Sequence, residues 1–170
     1  MGAGKMRALL CDTRQKPGKH DAKEGAWESM GVPTVRSKLP FGDYAMCPGA
    51  AVDTKRDIYE LASDIDQQHD RFRRELAGAR DAGCALTVLV ENEDGVASLE
   101  DLASWEEPDG HYMMRRKKSG NPNAKRISGR RLAKACLTME GRYGARFSFC
   151  APGEAAGAVL EILEKGEKEQ

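Results

Sequence analysis

The sequence has no long apolar run and no cysteine motif, and each absence excludes a class of protein. No apolar stretch approaches the roughly 18 residues that a membrane-spanning helix needs, and the N-terminal apolar run is too short for a secretory signal. The five cysteines are an odd number and form no Cys-x-x-Cys pair. This usage argues against a zinc site and favours a reducing, cytoplasmic compartment without a membrane anchor.

Histidine is also scarce, and the three residues, His20, His69 and His111, are too dispersed to indicate a metal-ligand set. At 170 residues with 40% hydrophobic composition, the chain can bury one core. A single domain spanning 1–170 is therefore expected.

The net charge of zero hides a split between two neighbouring segments. Residues 91–109 hold eight acidic residues and no Lys or Arg, whereas 113–134 hold nine Lys or Arg and no acid. Gly120, Pro122 and Gly129 predict that the basic block is a mobile loop before a helix. Such a loop suits sequence-blind contact with nucleic-acid phosphates, the alternative being a solvated loop that balances the acidic stretch.

The segment GDYAMCPGAAVDTK carries the chemistry that we expect of the chain. Asp53 and Lys55 are two residues apart, so on a strand they project from the same face, and Thr54 would point the other way. Two carboxylates, Asp43 and Asp53, can hold a cation such as Mg²⁺, which activates water and neutralises phosphodiester charge. Lys55 could orient that water or stabilise the reacting oxygens.

The turn between the two aspartates decides whether they meet. A two-residue loop at Pro48 and Gly49 would place the carboxylates on opposite faces of the hairpin. A three-residue loop from Cys47 to Gly49, with Gly49 left-handed, pairs Asp43 directly with Asp53. One cation could then bridge both side chains.

The neighbouring segments give this motif its context, because an acid-x-Lys triplet alone is uninformative. The apolar run 8–11 predicts a buried strand, and 85–90 predicts another. Two helices are predicted between them, with apolar positions Ile58, Leu61, Ala62 and Ile65 in the first and Phe72, Leu76 and Ala79 in the second. Later segments predict a helix after the N-cap Ser128, a strand at 146–150 and a final helix opened by Pro152.

Five blocks of the first 92 residues resemble the nuclease domain of the XPF family, a branch of the PD-(D/E)xK nucleases. The blocks are LLCDTR (9–14), LPFGDYAM (39–46), VDTK (52–55), HDRFRREL (69–76) and LTVLVEN (86–92). The resemblance implies an α/β fold, with a mixed central β-sheet flanked by helices and a restriction-endonuclease-like core. It divides the domain into a core at 1–92, an acidic then basic loop insertion at 93–127, and a helix-strand-helix completion at 128–164.

The resemblance also implies roles for individual residues. The family's metal-binding acids fall on Asp12, Asp43 and Asp53, and its active-site lysine falls on Lys55, with Mg²⁺ as the cofactor and Mn²⁺ able to substitute. The resemblance and the basic block together give the expected DNA-binding set Arg14, Arg71, Arg74, Arg115, Arg116, Lys117, Lys118, Lys125, Arg126, Arg130 and Arg131. Gln15 stands where the family commonly has Glu, and the acid expected near position 59 is displaced to Glu60 or Asp57, which leaves a second metal open.

The residues from Ser128 to Leu163 resemble the tail of short stand-alone XPF-like proteins of bacteria and mobile elements. The family's tandem helix-hairpin-helix module is not among these segments, so the basic block, a second copy of the chain or a partner protein would have to supply its DNA grip.

The expected activity is metal-dependent hydrolysis of DNA that is branched, flapped or partly single-stranded, as in repair and recombination. An inactive DNA-binding scaffold and a nuclease of the same superfold with another substrate remain open alternatives.

Overall fold

One six-stranded sheet organises the protein in a computed structural model that describes residues 7–46 and 49–168. The strands are β1 (Leu9–Asp12), β2 (Thr34–Ser37), β3 (Tyr44–Ala45), β4 (Ala50–Lys55), β5 (Ala85–Glu91) and β6 (Arg146–Cys150). The helices are α1 (Asp21–Ser29), α2 (Ile58–Asp66), α3 (His69–Asp81), α4 (Leu99–Ser104), α5 (His111–Lys118), α6 (Gly129–Tyr143) and α7 (Ala155–Lys168). A short 3₁₀ turn, Pro152–Glu154, precedes α7.

The strand order is β2-β1-β3-β4-β5-β6. Strand β3 runs antiparallel to both β1 and β4, whereas β2 is parallel to β1, and β4, β5 and β6 are parallel to one another. The prediction of a mixed sheet flanked by helices is confirmed. Because β4, β5 and β6 are parallel, their carboxyl ends meet along one edge, and the predicted motif lies there.

The larger core lies between one face of the sheet and helices α2, α3 and α6. Helix α2 is confirmed at the predicted place, and its stripe of Ile58, Leu61 and Ile65 is buried. Val88 and Val90 of β5 enter the same core, as the period of two for a strand requires.

Helices α1 and α7 cover the other face of the sheet, where Leu89 and Val52 point. The indole of Trp27 is fully buried, and its Nε1 donates to Ala156 O at 3.0 Å, which joins the two helices. The final helix was predicted, and its Val159 and Leu163 are fully buried.

Two helices lie in the segment 93–127, which the sequence predicted to be a loop, so that prediction is corrected. Helix α4 begins at the N-cap Ser98, and helix α5 carries part of the basic block. Glu107 explains why α5 forms, because this carboxylate is 2% exposed and accepts hydrogen bonds from the backbone N–H groups of Tyr112 and Met113. These N–H groups belong to the first helical turn, which has no partners inside the helix.

Helix α6 begins where the sequence predicted, at Ser128, whose hydroxyl accepts from Arg131 N. Its first residue must be glycine, because a Cβ on Gly129 would lie 2.1 Å from Leu102 O of α4. The two helices thus approach through the backbone. No helix among the described residues is long and apolar enough to span a bilayer.

Candidate active site

The hairpin of β3 and β4 brings the two predicted aspartates together. Tyr44 pairs with Val52 and Ala45 with Ala51, which is the register that the three-residue loop predicts for this hairpin. The ladder ends at Tyr44, so Asp43 lies just before β3 and is not itself paired with Asp53, although both side chains line the same cleft. Gly49 has the expected positive φ of 104°, whereas Cys47 and Pro48 of the turn lie outside the described residues.

A close backbone contact fixes the position of Asp43 beside β4. Asp43 N donates to Val52 O at 2.8 Å. The preceding residue, Gly42, has φ +67°, and a Cβ there would lie 2.8 Å from Val52 O. Glycine is thus required where the GDY block crosses β4.

Asp53 and Lys55 project from one face of β4, as predicted, and form an ion pair of 2.6 Å. Burial raises the pKa of the Asp53 carboxyl to about 7, against a lowering effect of Lys55, and the charges of Asp43 and Glu75 raise it further. Burial alone would lower the pKa of the Lys55 ammonium, but Asp53 and a second carboxylate outweigh burial and raise it. The lysine therefore stays charged inside the protein.

The second carboxylate is Asp64 of α2, which the sequence reasoning missed. It is 3% exposed and lies 2.5 Å from Lys55 Nζ and 3.3 Å from Arg71 Nη2. A signal existed, because Asp64 follows Leu61 by three positions and so falls on the apolar side of its helix, where an unpaired acid is costly.

Two carboxylate oxygens of the site are buried without a hydrogen bond. Among the described residues these are Asp53 Oδ2 and Asp64 Oδ2, the same atoms that approach Lys55 as ion pairs. Buried polar oxygens in native proteins nearly always have such partners. The ammonium of Lys55 is their shared partner and compensates their charge through the two ion pairs.

Asp43 is held from the other side of the strand. Its Oδ2 accepts from Thr54 N at 2.9 Å and from Thr54 Oγ1 at 2.6 Å. Thr54, which was expected to point away, therefore orients one of the two aspartates. The other oxygen of Asp43 has no hydrogen bond among the residues that the structure describes.

Asp12, the third predicted metal ligand, lies beside β3 but is engaged with its surroundings. Its Oδ2 is 2.7 Å from Arg14 Nε, and its Oδ1 accepts from Leu39 N at 2.9 Å. Gln15, at the position where a glutamate was expected, donates to Asp43 O at 3.0 Å. In this arrangement both side chains fasten the segment that carries Asp43.

These residues line an open cleft of about 770 Å³ at the carboxyl end of β4. The predicted phosphate contacts Arg14, Arg71 and Arg74 all lie in its wall. Of the displaced acids, Glu60 also lines the cleft, where it pairs with Lys19 at 2.8 Å. Glu75, which the sequence reasoning did not select, lines the cleft and accepts from Gly42 N at 3.2 Å.

The chemistry of this donor set fits a hard divalent cation. No three His, Cys, Asp or Glu side chains converge as a metal-holding group in the part of the chain that the structure describes. Mg²⁺, however, is usually held by one or two carboxylates together with water and substrate phosphate. Asp43 and Asp53 supply two carboxylates. Burial, reinforced by the charges of Asp43 and Glu75, raises the pKa of Asp53, and a bound cation would favour its ionised form.

The remaining predicted DNA contacts form a separate surface, which we call the basic arm (residues 111–131). It holds Arg115, Arg116, Lys117, Lys118, Lys125, Arg126, Arg130 and Arg131, all exposed except the half-buried Arg116. None of them lines the cleft.

Glu107 anchors the basic arm at both of its ends, since its Oε2 also accepts from Ile127 N at 2.8 Å. Asp66 at the end of α2 joins the arm to that helix, lying 2.7 Å from Arg131 Nη2 and 3.8 Å from Arg116 Nη1. Tyr112 Oη accepts from Gln67 Nε2 at 3.1 Å and adds a third attachment. The arm therefore has a fixed position beside the helices that wall the cleft.

Comparison with known proteins assigns the fold. No protein-family model matches the sequence, and neither does any curated protein. The structure of XPF from Aeropyrum pernix matches with a TM-score of 0.62 and 17% identity over 95% of this chain and 65% of that one. Its complex with DNA matches with a TM-score of 0.59 and 16% identity over 96% and 66%. The chain thus has an XPF-like nuclease fold and spans just under two thirds of the length of those structures.

Proposed function

We propose that the protein is a metal-dependent endonuclease that hydrolyses phosphodiester bonds in DNA. The observation that carries the proposal is that Asp43, just before β3, and Asp53, on the neighbouring strand β4, line one open cleft together with Lys55, which pairs with Asp53. Carboxylates next to a buried ammonium, under a rim of arginines, suit an anionic ester that must be attacked by water.

Each residue of the cleft has a separate role in this proposal. Asp43 and Asp53 would hold Mg²⁺, or Mn²⁺ in its place, and the cation when bound supplies a Lewis acid and an activated water. Lys55 is fixed between Asp53 and Asp64, so its charge is available at one defined position in the cleft. Asp12, expected to be a third ligand, contributes by fixing Arg14 and the segment before Asp43.

Arginines of the cleft wall would bind the phosphates that flank the scissile bond. The Arg71 side chain is 63% exposed although one end pairs with Asp64. Arg14 is 57% exposed while its Nη2 donates to Leu39 O at 2.7 Å. Each guanidinium is thus oriented by the protein and retains donors for a phosphate.

The basic arm would hold DNA outside the cleft. Its guanidinium and ammonium groups lie on α5, in the connection from α5 to α6 and on the first turn of α6, without acidic residues in the same segment. Such a surface binds the phosphate backbone without reading sequence. The proposed substrates, branched, flapped or partly single-stranded DNA, follow from the resemblance of the sequence blocks to the XPF family.

An inactive DNA-binding scaffold is the second candidate, and one observation favours it. Lys55 is neutralised by two carboxylates, and both oxygens of Asp12 are already engaged. A site whose lysine and third aspartate are already paired within the protein could be a structural remnant. The retention of Asp43, Asp53 and Lys55 together argues for the enzyme.

The test is cleavage of labelled flap, fork, four-way junction and linear duplex DNA with Mg²⁺, Mn²⁺ or EDTA. Asp43→Asn and Asp53→Asn should each lower the cleavage rate at least about 100-fold while DNA binding persists. Asp81→Asn is a matched control, because that carboxylate is 67% exposed and outside the cleft. Tight binding without cutting under any metal would support the scaffold, and normal cutting by both variants would show that the site is misassigned.

A further inference from the structure

One face of helix α3 lies against both the cleft and the segment that precedes Asp43. Residues at the spacing i, i+3, i+4 and i+7 share one side of a helix, and here they are Arg71, Arg74, Glu75 and Gly78. The first three of them line the cleft. The same face therefore carries two arginines for phosphate and one carboxylate.

Two contacts join this face to the residues immediately before Asp43. Glu75 Oε1 accepts a hydrogen bond from Gly42 N at 3.2 Å. A Cβ on Gly78 would lie 3.0 Å from Phe41 Cε1, so the phenylalanine ring packs closely on the helix at this glycine. The helix thus contacts two consecutive residues of the chain that leads into Asp43.

Gly42 lies between α3 and β4. On the side of the strand, a Cβ at Gly42 would lie 2.8 Å from Val52 O, and Asp43 N donates to the same oxygen at 2.8 Å. On the side of the helix, the Gly42 N–H is bound by Glu75. Glycine has the most permissive backbone of any residue, and Gly42 has a φ of +67°. These contacts, rather than a side chain, therefore fix the path of the chain at this point.

The Glu75 carboxylate suits this bond and is not arranged as a third metal ligand. A hydrogen bond to an ionised acceptor is stronger than one to a neutral acceptor. Glu75 does not converge with Asp43 and Asp53 into a metal-holding group of three carboxylates among the described residues. Its hydrogen bond to the site is instead with the backbone of Gly42.

We propose, on the basis of the proposed nuclease function, that Glu75 is a positioning residue, which holds Asp43 through the Gly42 N–H. Asp43 is thereby kept where it can share a divalent cation with Asp53. The two cleft-lining arginines of α3 lie on the same face, so one helix supports both the phosphate contacts and the proposed metal ligand. Removal of an outer partner that orients a ligand typically lowers metal affinity about 10- to 100-fold.

A crossed pair of conservative substitutions separates the hydrogen bond from the charge. Glu75→Gln keeps an acceptor oxygen at the same reach and removes the charge. Glu75→Asp keeps the charge but withdraws the carboxylate by one methylene, about 1.5 Å, so the bond to Gly42 N is lost. Asp70→Asn is the control, because it removes a charge from the same helix at a side chain that is 80% exposed and does not line the cleft.

Mn²⁺ is the probe, and electron paramagnetic resonance measures its free concentration without DNA. Asp53→Asn defines the binding outside the site. We expect Glu75→Asp to weaken Mn²⁺ binding at least about tenfold, and Glu75→Gln to stay within about threefold of the unaltered protein. Asp70→Asn should not change it. Mn²⁺ binding no tighter in Glu75→Gln than in Glu75→Asp would overturn the proposal, since the hydrogen bond would then not be what supports the site.

A second readout follows the Mg²⁺ dependence of cleavage. The Mg²⁺ concentration for half-maximal cleavage should rise about tenfold in Glu75→Asp and stay near the original in Glu75→Gln. DNA affinity in EDTA should be unchanged in both variants, because the arginines of α3 are retained. Weaker DNA binding in EDTA with unchanged Mn²⁺ affinity would overturn the role assigned to Glu75 and make it a support of the phosphate contacts alone.

Failure of the nuclease function would give a different result. Mn²⁺ binding that Asp53→Asn removes, without cleavage of any labelled DNA, would overturn the nuclease function and leave Glu75 as the support of a metal site. Cleavage by the unaltered protein, with equal Mn²⁺ binding in the two Glu75 variants, would overturn the role of Glu75 alone. No Mn²⁺ binding by the unaltered protein, with or without DNA, would overturn both.

Discussion

Two buried carboxylates, Asp53 in the cleft and Glu107 just before the basic arm, have very different hydrogen-bonding environments. Glu107 is 2% exposed and accepts three backbone hydrogen bonds, from Tyr112, Met113 and Ile127. Asp53 is 8% exposed, has one ion pair with Lys55, and its Oδ2 accepts no hydrogen bond.

The two carboxylates differ in how completely their surroundings stabilise the ionised form. Hydrogen bonds from backbone N–H groups stabilise an ionised carboxylate, and in Glu107 they engage both oxygens. A carboxylate surrounded by other carboxylates, and only partly compensated by an ammonium, gains from a proton or a cation. Burial alone therefore does not distinguish the two acids, whereas the missing hydrogen bond at Asp53 Oδ2 does.

The largest expected effect comes from removing the satisfied carboxylate. Glu107→Ala would leave three backbone N–H groups unsatisfied, so the free energy of unfolding should fall by roughly 3 kcal/mol or more, at about 1–3 kcal/mol for each group. Urea denaturation measures the change. The adjacent Glu106 is exposed, and Glu106→Ala should stay within about 0.5 kcal/mol. Equal effects of the two substitutions would contradict the anchoring role of Glu107.

Removing the Asp53 carboxylate should have the opposite effect on stability to removing Glu107, and the size of that effect should depend on pH. Its pKa is raised from 3.8 to about 7, so between these values the folded protein binds more protons than the unfolded chain. The free energy of unfolding should therefore fall as pH rises from about 4 to about 7, and Asp53→Asn should abolish that contribution.

At pH 8 in EDTA, Asp53→Asn should consequently be more stable than the unaltered protein by about 1–3 kcal/mol. Added Mg²⁺ should stabilise the unaltered protein and not the variant. Asp81→Asn is the control and should leave the pH dependence unchanged. A destabilised Asp53→Asn protein at pH 8 would show that the carboxylate is structural, like Glu107.

The basic arm should affect binding and the cleft should affect chemistry. Replacing Arg115, Arg116, Lys117 and Lys118 by Ala should weaken DNA binding about tenfold at low salt. The slope of log affinity against log salt should become shallower by about 0.9 for each phosphate that the arm no longer neutralises. The cleavage rate at saturating DNA should not change, because no residue of the arm lines the cleft.

Lys165→Ala is the control for charge, since this lysine lies on α7, across the sheet from the arm. Unchanged affinity of the four-residue variant at both low and high salt would remove the arm from the proposed DNA path.

The parts of the fold that could be predicted from sequence are those whose signal is local. The stripe of α2, the N-cap Ser128 and the register of β3 with β4 follow from periodicity, capping and turn length. Helix α5 could not be predicted, because its first turn is satisfied by Glu107, which lies before the helix and belongs to no local capping motif. Strand β2 is exposed along most of its length and shows no alternation.

The site residues also divide into those that a local sequence signal groups and those that depend on long-range packing. Asp43, Asp53 and Lys55 share one hairpin, so local geometry sufficed to group them. Asp64 and Glu75 reach the cleft from helices α2 and α3, and their contribution depends on how those helices pack beside the hairpin. Periodicity could have indicated Asp64, whereas Glu75 follows exposed arginines, so periodicity does not distinguish it from a solvated position.

The smallest expected effect concerns Asp66, the acid that joins the two regions. Its Oδ2 contacts Arg131 at 2.7 Å and Arg116 at 3.8 Å, and the Arg131 side chain is 52% exposed. Loss of such an ion pair should cost no more than about 1 kcal/mol of stability. Because the acid also neutralises cations of the basic arm, we expect Asp66→Asn to raise DNA affinity about twofold to threefold. Fluorescence anisotropy with a labelled flap substrate would measure the change.

Asp70→Asn provides the matched control for Asp66, because it removes the same charge from an exposed pair with Arg73 that lies outside the arm. If both substitutions raise affinity equally, the effect is the loss of a negative charge anywhere near the DNA. If Asp66→Asn lowers affinity while Asp70→Asn does not, the ion pair positions the arm, and its rigidity contributes more to binding than its free charge. A rise confined to Asp66→Asn would mean that Asp66 lowers the DNA affinity of the basic arm by neutralising its cations, at the point where the arm meets the helices of the cleft.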